Sequence, residues 1–207
     1  ITLDQAANNF SSVGITTGND VTLVDTNALN LAASTVSGNR SISSGGAVDL
    51  AASTVTGTLG ITANGEISDS GTLVVTGATT LAAGAANNIT LDQAANNFSS
   101  VGITTGNNVT LVDTNAIDLA ASTVSGTLGV TADGTIDDSG TLVVTGATTL
   151  AAGAANNITL DQAANNFSSV GVTTGNNVTL VDTNALNLAA STVSGNLSIS
   201  SGGAVDL

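Results

Sequence analysis

Apolar residues fall at every second position in short runs along this chain, and each run ends at a small or amide-bearing residue. Val109 and Leu111 flank Thr110, Leu59 and Ile61 flank Gly60, and Leu73 and Val75 flank Val74. A period of two is the mark of a strand with one buried face. No window repeats at i, i+3, i+4 and i+7, and β-branched Val, Ile and Thr crowd every apolar run, which disfavours helix. The pattern therefore predicts an all-β chain with Val21, Leu23, Leu59, Ile61, Ile67, Leu73, Val75, Ile89, Leu91, Ile103, Val109, Leu111, Ile117 and Leu119 pointing inward. Between the runs stand Asn-Asn, Asn-Gly, Asp-Gly, Ser-Gly and Gly-Gly, which form sharp corners at low conformational cost.

The chain is dominated by repeats. ITLDQAANNFSSVG begins at Ile1, Ile89 and Ile158, so the blocks run 1–88, 89–157 and 158–207 and the second spacing is shorter than the first. The difference is one short unit: STVSG at Ser34 is followed by STVTG at Ser53, whereas the second block has only STVSG at Ser122. A piece gained or lost whole is expected to be one structural turn that touches only its neighbours. That favours coils laid in parallel register over antiparallel hairpins. Taking the shorter spacing as three turns gives roughly nine turns of about 19–26 residues in a single segment, 1–207, stacked to a length of roughly 45 Å.

Residues 71–140 carry a resemblance as well. The succession GTLVVTGATTLAAGAANNITLDQAANNF, SSVGITTGNNVTLVDTNAIDLAASTVSG and TLGVTADGTIDDSG resembles the repeat array of large bacterial secreted exoproteins of the filamentous haemagglutinin type, including two-partner secretion and autotransporter adhesins. The resemblance extends over the whole chain. It implies a right-handed parallel β-helix (β-solenoid) and an extracellular or bacterial cell-surface location. The secretion domain of that family has no counterpart here, so the resemblance implies an interior fragment of a longer array, in keeping with Ile1 and Leu207 falling inside strand patterns.

Composition narrows the chemistry. Hydrophobic residues make up 42% and charged residues 8%, which demands a folded core, yet the only aromatics are Phe10, Phe98 and Phe167. Fifteen acidic residues against one basic residue give a net charge of -14, and His, Cys, Tyr, Trp, Met, Pro and Lys are absent. Carboxylates are then the only proton-transfer groups and unactivated hydroxyls the only nucleophiles, so an enzyme is not expected. Sites built on imidazole or thiolate are excluded, leaving a hard cation such as calcium as the one conceivable metal. Nucleic acid and anionic membranes would repel the chain.

The candidate residues all have structural readings. Asp25, Asp113 and Asp182 recur in TLVDTNA, Asp4, Asp92 and Asp161 in TLDQAANN, and Ser68-Asp69 becomes Asp137-Asp138 in the next block. No calcium nonapeptide or EF-hand spacing is present, so these are expected to be solvated corner residues; the Asp137-Asp138 pair also has the composition of a glycosidase dyad, but its sister position holds Ser68. The Asn doublets from Asn8-Asn9 to Asn176-Asn177 read as corners whose amides bond up the stack. Asn9, Asn39, Asn88, Asn97, Asn108, Asn157, Asn166, Asn177 and Asn196 fit the N-x-S/T acceptor pattern, which such corners generate by composition. Thr-x-Thr strands suggest an ice-binding face, but the Thr positions drift to Ser, Gly and Val. Arg40 replaces the Leu of its sister units (Leu59, Leu128, Leu197), so a semi-exposed corner is expected there, or a carboxylate partner.

The expectation is thus a structural extracellular rod without catalytic, metal or cofactor residues, whose partner is itself. It would continue end to end, with lateral contact seeded by out-facing Val74, Val112, Val143 and Val181. The alternative is an adhesin that binds a receptor or glycan through one face.

Overall fold

The computed structural model describes residues 1–207 as 25 strands without a helix, and every strand pairing is parallel. Successive coils lie directly over one another. The coils differ in length: a short one carries Thr22 to its partner Ser41 in the next coil, and a longer one carries Val74 to Asn97. The result is a β-solenoid of about eleven turns. The count exceeds the nine expected because a repeat block holds more than three turns.

Each coil lays one strand on each of three faces. The first face begins with Thr2–Leu3, Val21–Asp25, Arg40–Ser44 and Leu59–Ala63. The second begins with Ser12–Val13, Leu29–Leu31, Val48–Leu50 and Ile67–Asp69. The third carries Ser34–Val36, Ser53–Val55 and the opening of Leu73–Ala82. Leu73–Ala82, Asn97–Thr105, Leu142–Ala151 and Asn166–Thr174 are long strands that bend from one face to the next, with register breaks at Val75/Ala78 and Val144/Ala147. Through these bends the hydrogen bonds join three faces into two sheets, of 13 and 12 strands.

The block from Ile89 to Asn157 contains eight strands, two of them bent, and so supplies ten face segments. At three segments to a coil this is more than three coils and not a whole number of them. Each copy of the repeat is therefore turned about the axis relative to the copy before it. The identical string VTLVD lies in the 13-stranded sheet at Val21–Asp25, in the 12-stranded sheet at Val109–Asp113 and in the 13-stranded sheet again at Val178–Asp182. The extra unit of the first block forms one closed coil: Ser34–Val36 pairs with Ser53–Val55 residue for residue, and Arg40–Ser44 sits between Val21–Asp25 and Leu59–Ala63.

The alternation sets what is buried. All the positions expected to point inward, from Val21 to Leu119, are at most 2% exposed, and they belong to one continuous core of 44 residues. Burying each Val, Leu or Ile contributes about 1.5–3 kcal/mol, opposed by the ordering of its strand. Val74, Val112, Val143 and Val181 do face outward and are half-buried by the coils above and below. The large apolar side chains left exposed, Ile1, Leu3, Leu197, Val205 and Leu207, lie in the outermost coils, which have a neighbour on one side only. Corners pack backbone on backbone. A Cβ at Gly77 would lie 2.5 Å from the carbonyl oxygen of Gly57 in the coil below, so no other residue fits.

Candidate functional site

The aspartates depart most from the sequence reading. Asp25, Asp113 and Asp182 are not solvated: they are 4%, 2% and 2% exposed. In Val-Thr-Leu-Val-Asp the fifth position shares the inward face with Val and Leu, so the strand that buries Val109 and Leu111 also buries Asp113. Each carboxylate serves two backbone donors that no strand satisfies. Asp113 accepts from the Phe98 N–H of the preceding coil at 2.6 Å and from the Asn115 N–H at 2.8 Å. Asp25 does the same with Phe10 and Asn27, and Asp182 with Phe167 and Asn184. Burial pushes the Asp113 carboxyl above its ordinary value, against the pull of those two donors.

Asp69 and Asp138 are likewise buried, each at the hub of a polar relay. Asp138 accepts from the Asn165 side-chain amide at 2.6 Å and the Asp161 N–H at 2.9 Å, while Asn165 Oδ1 accepts from the Leu142 N–H at 2.8 Å. Asp69, Asn96, Asp92 and Leu73 repeat the arrangement. Desolvation raises both carboxyls, with the nearby Asp161 and Asp92 adding to the effect. Asp137 and Asp138 do not form a dyad, because adjacent strand residues point to opposite sides: Asp137 is exposed and Asp138 is inside. Asp4, Asp92 and Asp161 are exposed, as expected of corners. No three acidic side chains converge to hold a metal ion.

Arg40 also departs from expectation. It is 1% exposed, stacked between Val21 and Leu59 on the inward side, and meets no carboxylate. Its Nη1 donates to Ser53 Oγ at 3.2 Å, while Nε and Nη2 have no partner. Desolvation lowers its pKa to about 10. The parity of the sister leucines carried this signal: an Arg in a Leu register points where Leu points.

The asparagines form ladders. Asn88 Oδ1 accepts from the Asn108 N–H, and Asn108 Oδ1 from the Thr127 N–H one coil further on, at 3.2 and 3.0 Å. Asn157, Asn177 and Asn196 repeat the sequence. In the Asn-Asn-Phe doublets the first residue, Asn96 or Asn165, is fully buried in the relay described above. Several of the N-x-S/T asparagines thus use their side-chain oxygen to pair the corner backbone of the next coil.

On the outside, shallow grooves follow the stack. In the first block the out-facing column Thr35, Thr54, Val74, Asn97 lines two adjoining depressions of about 460 and 510 Å³. In the second block Thr123, Val143 and Asn166 line the corresponding pair, of about 400 Å³ each, on a different face. No charged side chain lines any of these four. The Thr column gives way to Val and Asn after a few coils, so no face presents a continuous Thr array.

Comparison with curated proteins and with solved structures finds no match for the chain. A family model described as repeats of unknown function (DUF5649) matches residues 18–49, 38–105, 106–174 and 175–206. Its two longest matches, 38–105 and 106–174, each span about one long repeat. These matches follow one another along nearly the whole solenoid, and the chain belongs to this family of repeats.

Proposed function

We propose that this solenoid is a length of an extracellular or cell-surface bacterial rod, of the kind built from filamentous haemagglutinin-like repeats, whose role is to span distance. The observation that carries the reading is the extra coil of residues 39–57, which enters the stack without disturbing the pairing of either neighbour. Stability that is a sum of neighbour contacts allows length to vary freely, and length is what near-identical blocks multiply. The rotation of each block about the axis supports the same role, because a motif that moves around the axis serves a strut better than a receptor site that must face one way. Absence of cysteine suits export of an unfolded chain. The resemblance of the repeats to secreted exoproteins points to the same location.

The test is surface labelling of the source cells with an antibody raised against residues 70–116, together with electron microscopy of the native protein. Labelling of intact cells and narrow rods that lengthen by about 16 Å per repeat block are the expected results. Labelling only after lysis, or particles whose long dimension does not follow repeat number, would overturn the reading.

A further inference from the structure

The solenoid carries a recessed and a protruding feature in each of the blocks 1–88 and 89–157, and both lack charge. The recess is the groove along Thr54 and Val74, or Thr123 and Val143. The protrusion is the loop at Gly84–Asn88, repeated at Gly153–Asn157, in a connection twice as long as the one that joins Val21–Asp25 to Leu29–Leu31. The coil is correspondingly long, with Ile67 lying under Ile89 and Thr80 under Gly102. A positive φ at Gly84 and Gly153, 84° and 80°, turns the chain outward, and Ala85 and Ala86 stand exposed at its tip. The loop is held rigidly: Asn87 Nδ2 donates to the Ala83 carbonyl at 2.7 Å, and Ser125 Oγ, two coils away, donates to the Ala85 carbonyl at 2.7 Å.

We propose that this alanine-tipped loop docks into the groove of a second copy of the chain, so that rods associate side by side. The inference rests on the rod reading above and specifies its lateral partner. Charge selects the partner. A chain of net charge -14 repels a copy of itself except where surface charge is missing, and groove and loop are both free of charged side chains. Docking covers the half-exposed Val74 and Val143, the two out-facing valines that line grooves; Val112 and Val181 line none. Spacing fits as well. Loop and groove each recur once per block, so a contact made by one block is in register for the next along two rods. Because each block is turned about the axis relative to the one before, successive contacts point in different directions, and the assembly does not stop at a pair.

The chain has no cysteine, which makes disulfide trapping clean. Full-length Ala86→Cys and Thr54→Cys proteins are mixed at about 0.15 M salt, where the Debye length is about 8 Å, and oxidised gently. The expected result is a mixed disulfide dimer formed several-fold faster than with Ala95→Cys, which places the thiol on the neighbouring loop beside the charged Asp92. Equal rates for the two pairs would overturn the proposal. In parallel, Thr54→Asp/Thr123→Asp puts a carboxylate in both grooves at exposed positions. It is expected to abolish association in sedimentation while leaving the melting temperature unchanged; association that persists would overturn the proposal. Wild-type protein that stays monomeric but binds a neutral glycan, with that binding lost in the double variant, would overturn it in favour of a glycan groove. A negative trapping result leaves the rod reading intact, since that is judged on particle length and surface labelling.

Discussion

At the scale of single residues, the interior of this solenoid is less oily than its composition suggests. Buried carboxylates stand at corners where the chain leaves one strand before the next begins, and there they replace missing ladder partners. Replacing Asp113 by Ala leaves the Phe98 and Asn115 N–H groups buried without acceptors. We expect a loss of about 1–3 kcal/mol, and a smaller loss for Asp113→Asn, whose amide oxygen still accepts; urea denaturation of the variants checks both. Acid should stabilise the fold. The carboxyls of Asp69, Asp113 and Asp138 are raised above their ordinary 3.8 chiefly by burial, with Asp92, Asp133 and Asp161 respectively adding repulsion. Between that value and the raised one, the folded chain holds protons the unfolded chain has released, so stability falls as pH rises through the window. Relief of the net negative charge acts in the same direction. A melting temperature higher at about pH 4.5 than at pH 8 is the expected outcome, and a lower one would show that the donors around these carboxylates outweigh their desolvation. Arg40 has the opposite character, a cation with two unpartnered nitrogens in a leucine register. Arg40→Leu is expected to stabilise by on the order of 2 kcal/mol, read in the same denaturation experiment.

At the scale of the element, the unit is the coil of three strands. Deleting residues 39–57 removes one coil and joins Val36-Ser37-Gly38 to Thr58-Leu59-Gly60, the junction that the second block already contains at Val124–Gly129. The deletion should refold as a rod shorter by about 4.8 Å, with Val21–Asp25 pairing on Leu59–Ala63. Deleting residues 39–48 instead puts strands of one face over corners of another, and should yield an aggregating chain. Circular dichroism and sedimentation of the two deletions decide. The bent strands Leu73–Ala82 and Asn97–Thr105 are what make the coil count fractional, because each serves two faces without a corner loop between them.

At the scale of the whole molecule, the fractional count becomes a screw. A repeat of more than three coils advances about 16 Å along the axis and part of a turn around it, so a surface feature changes sheet from one block to the next. In images of a longer array of such blocks, the loops at Gly84–Asn88 and their copies, spaced about 16 Å apart along the axis, should change side from each block to the next. Loops aligned along one edge would mean that a block closes a whole number of coils, and would remove the bundle with it.

What was legible in the sequence is what depends on neighbours along the strand. Alternation identified the inward residues, the corner residues marked the strand ends, and a unit that could be removed whole announced a stack of independent coils, because in parallel pairing each coil sees only the next. The burial of Asp25, Asp113, Asp182 and Arg40 was legible too, in the parity that places them on the apolar side of their strands, but a general preference of charge for water stood against it. Only the tertiary structure decided the rest. Nothing local in Leu73–Ala82 or Asn97–Thr105 says that one strand covers two faces, since a bend at Val75/Ala78 is dictated by the coils above and below it. The partners that make those buried carboxylates tolerable, Phe98 for Asp113 and Asn165 for Asp138, lie far from them along the chain. Their meeting follows from the length of each coil, and that length is set by how the chain closes around its core.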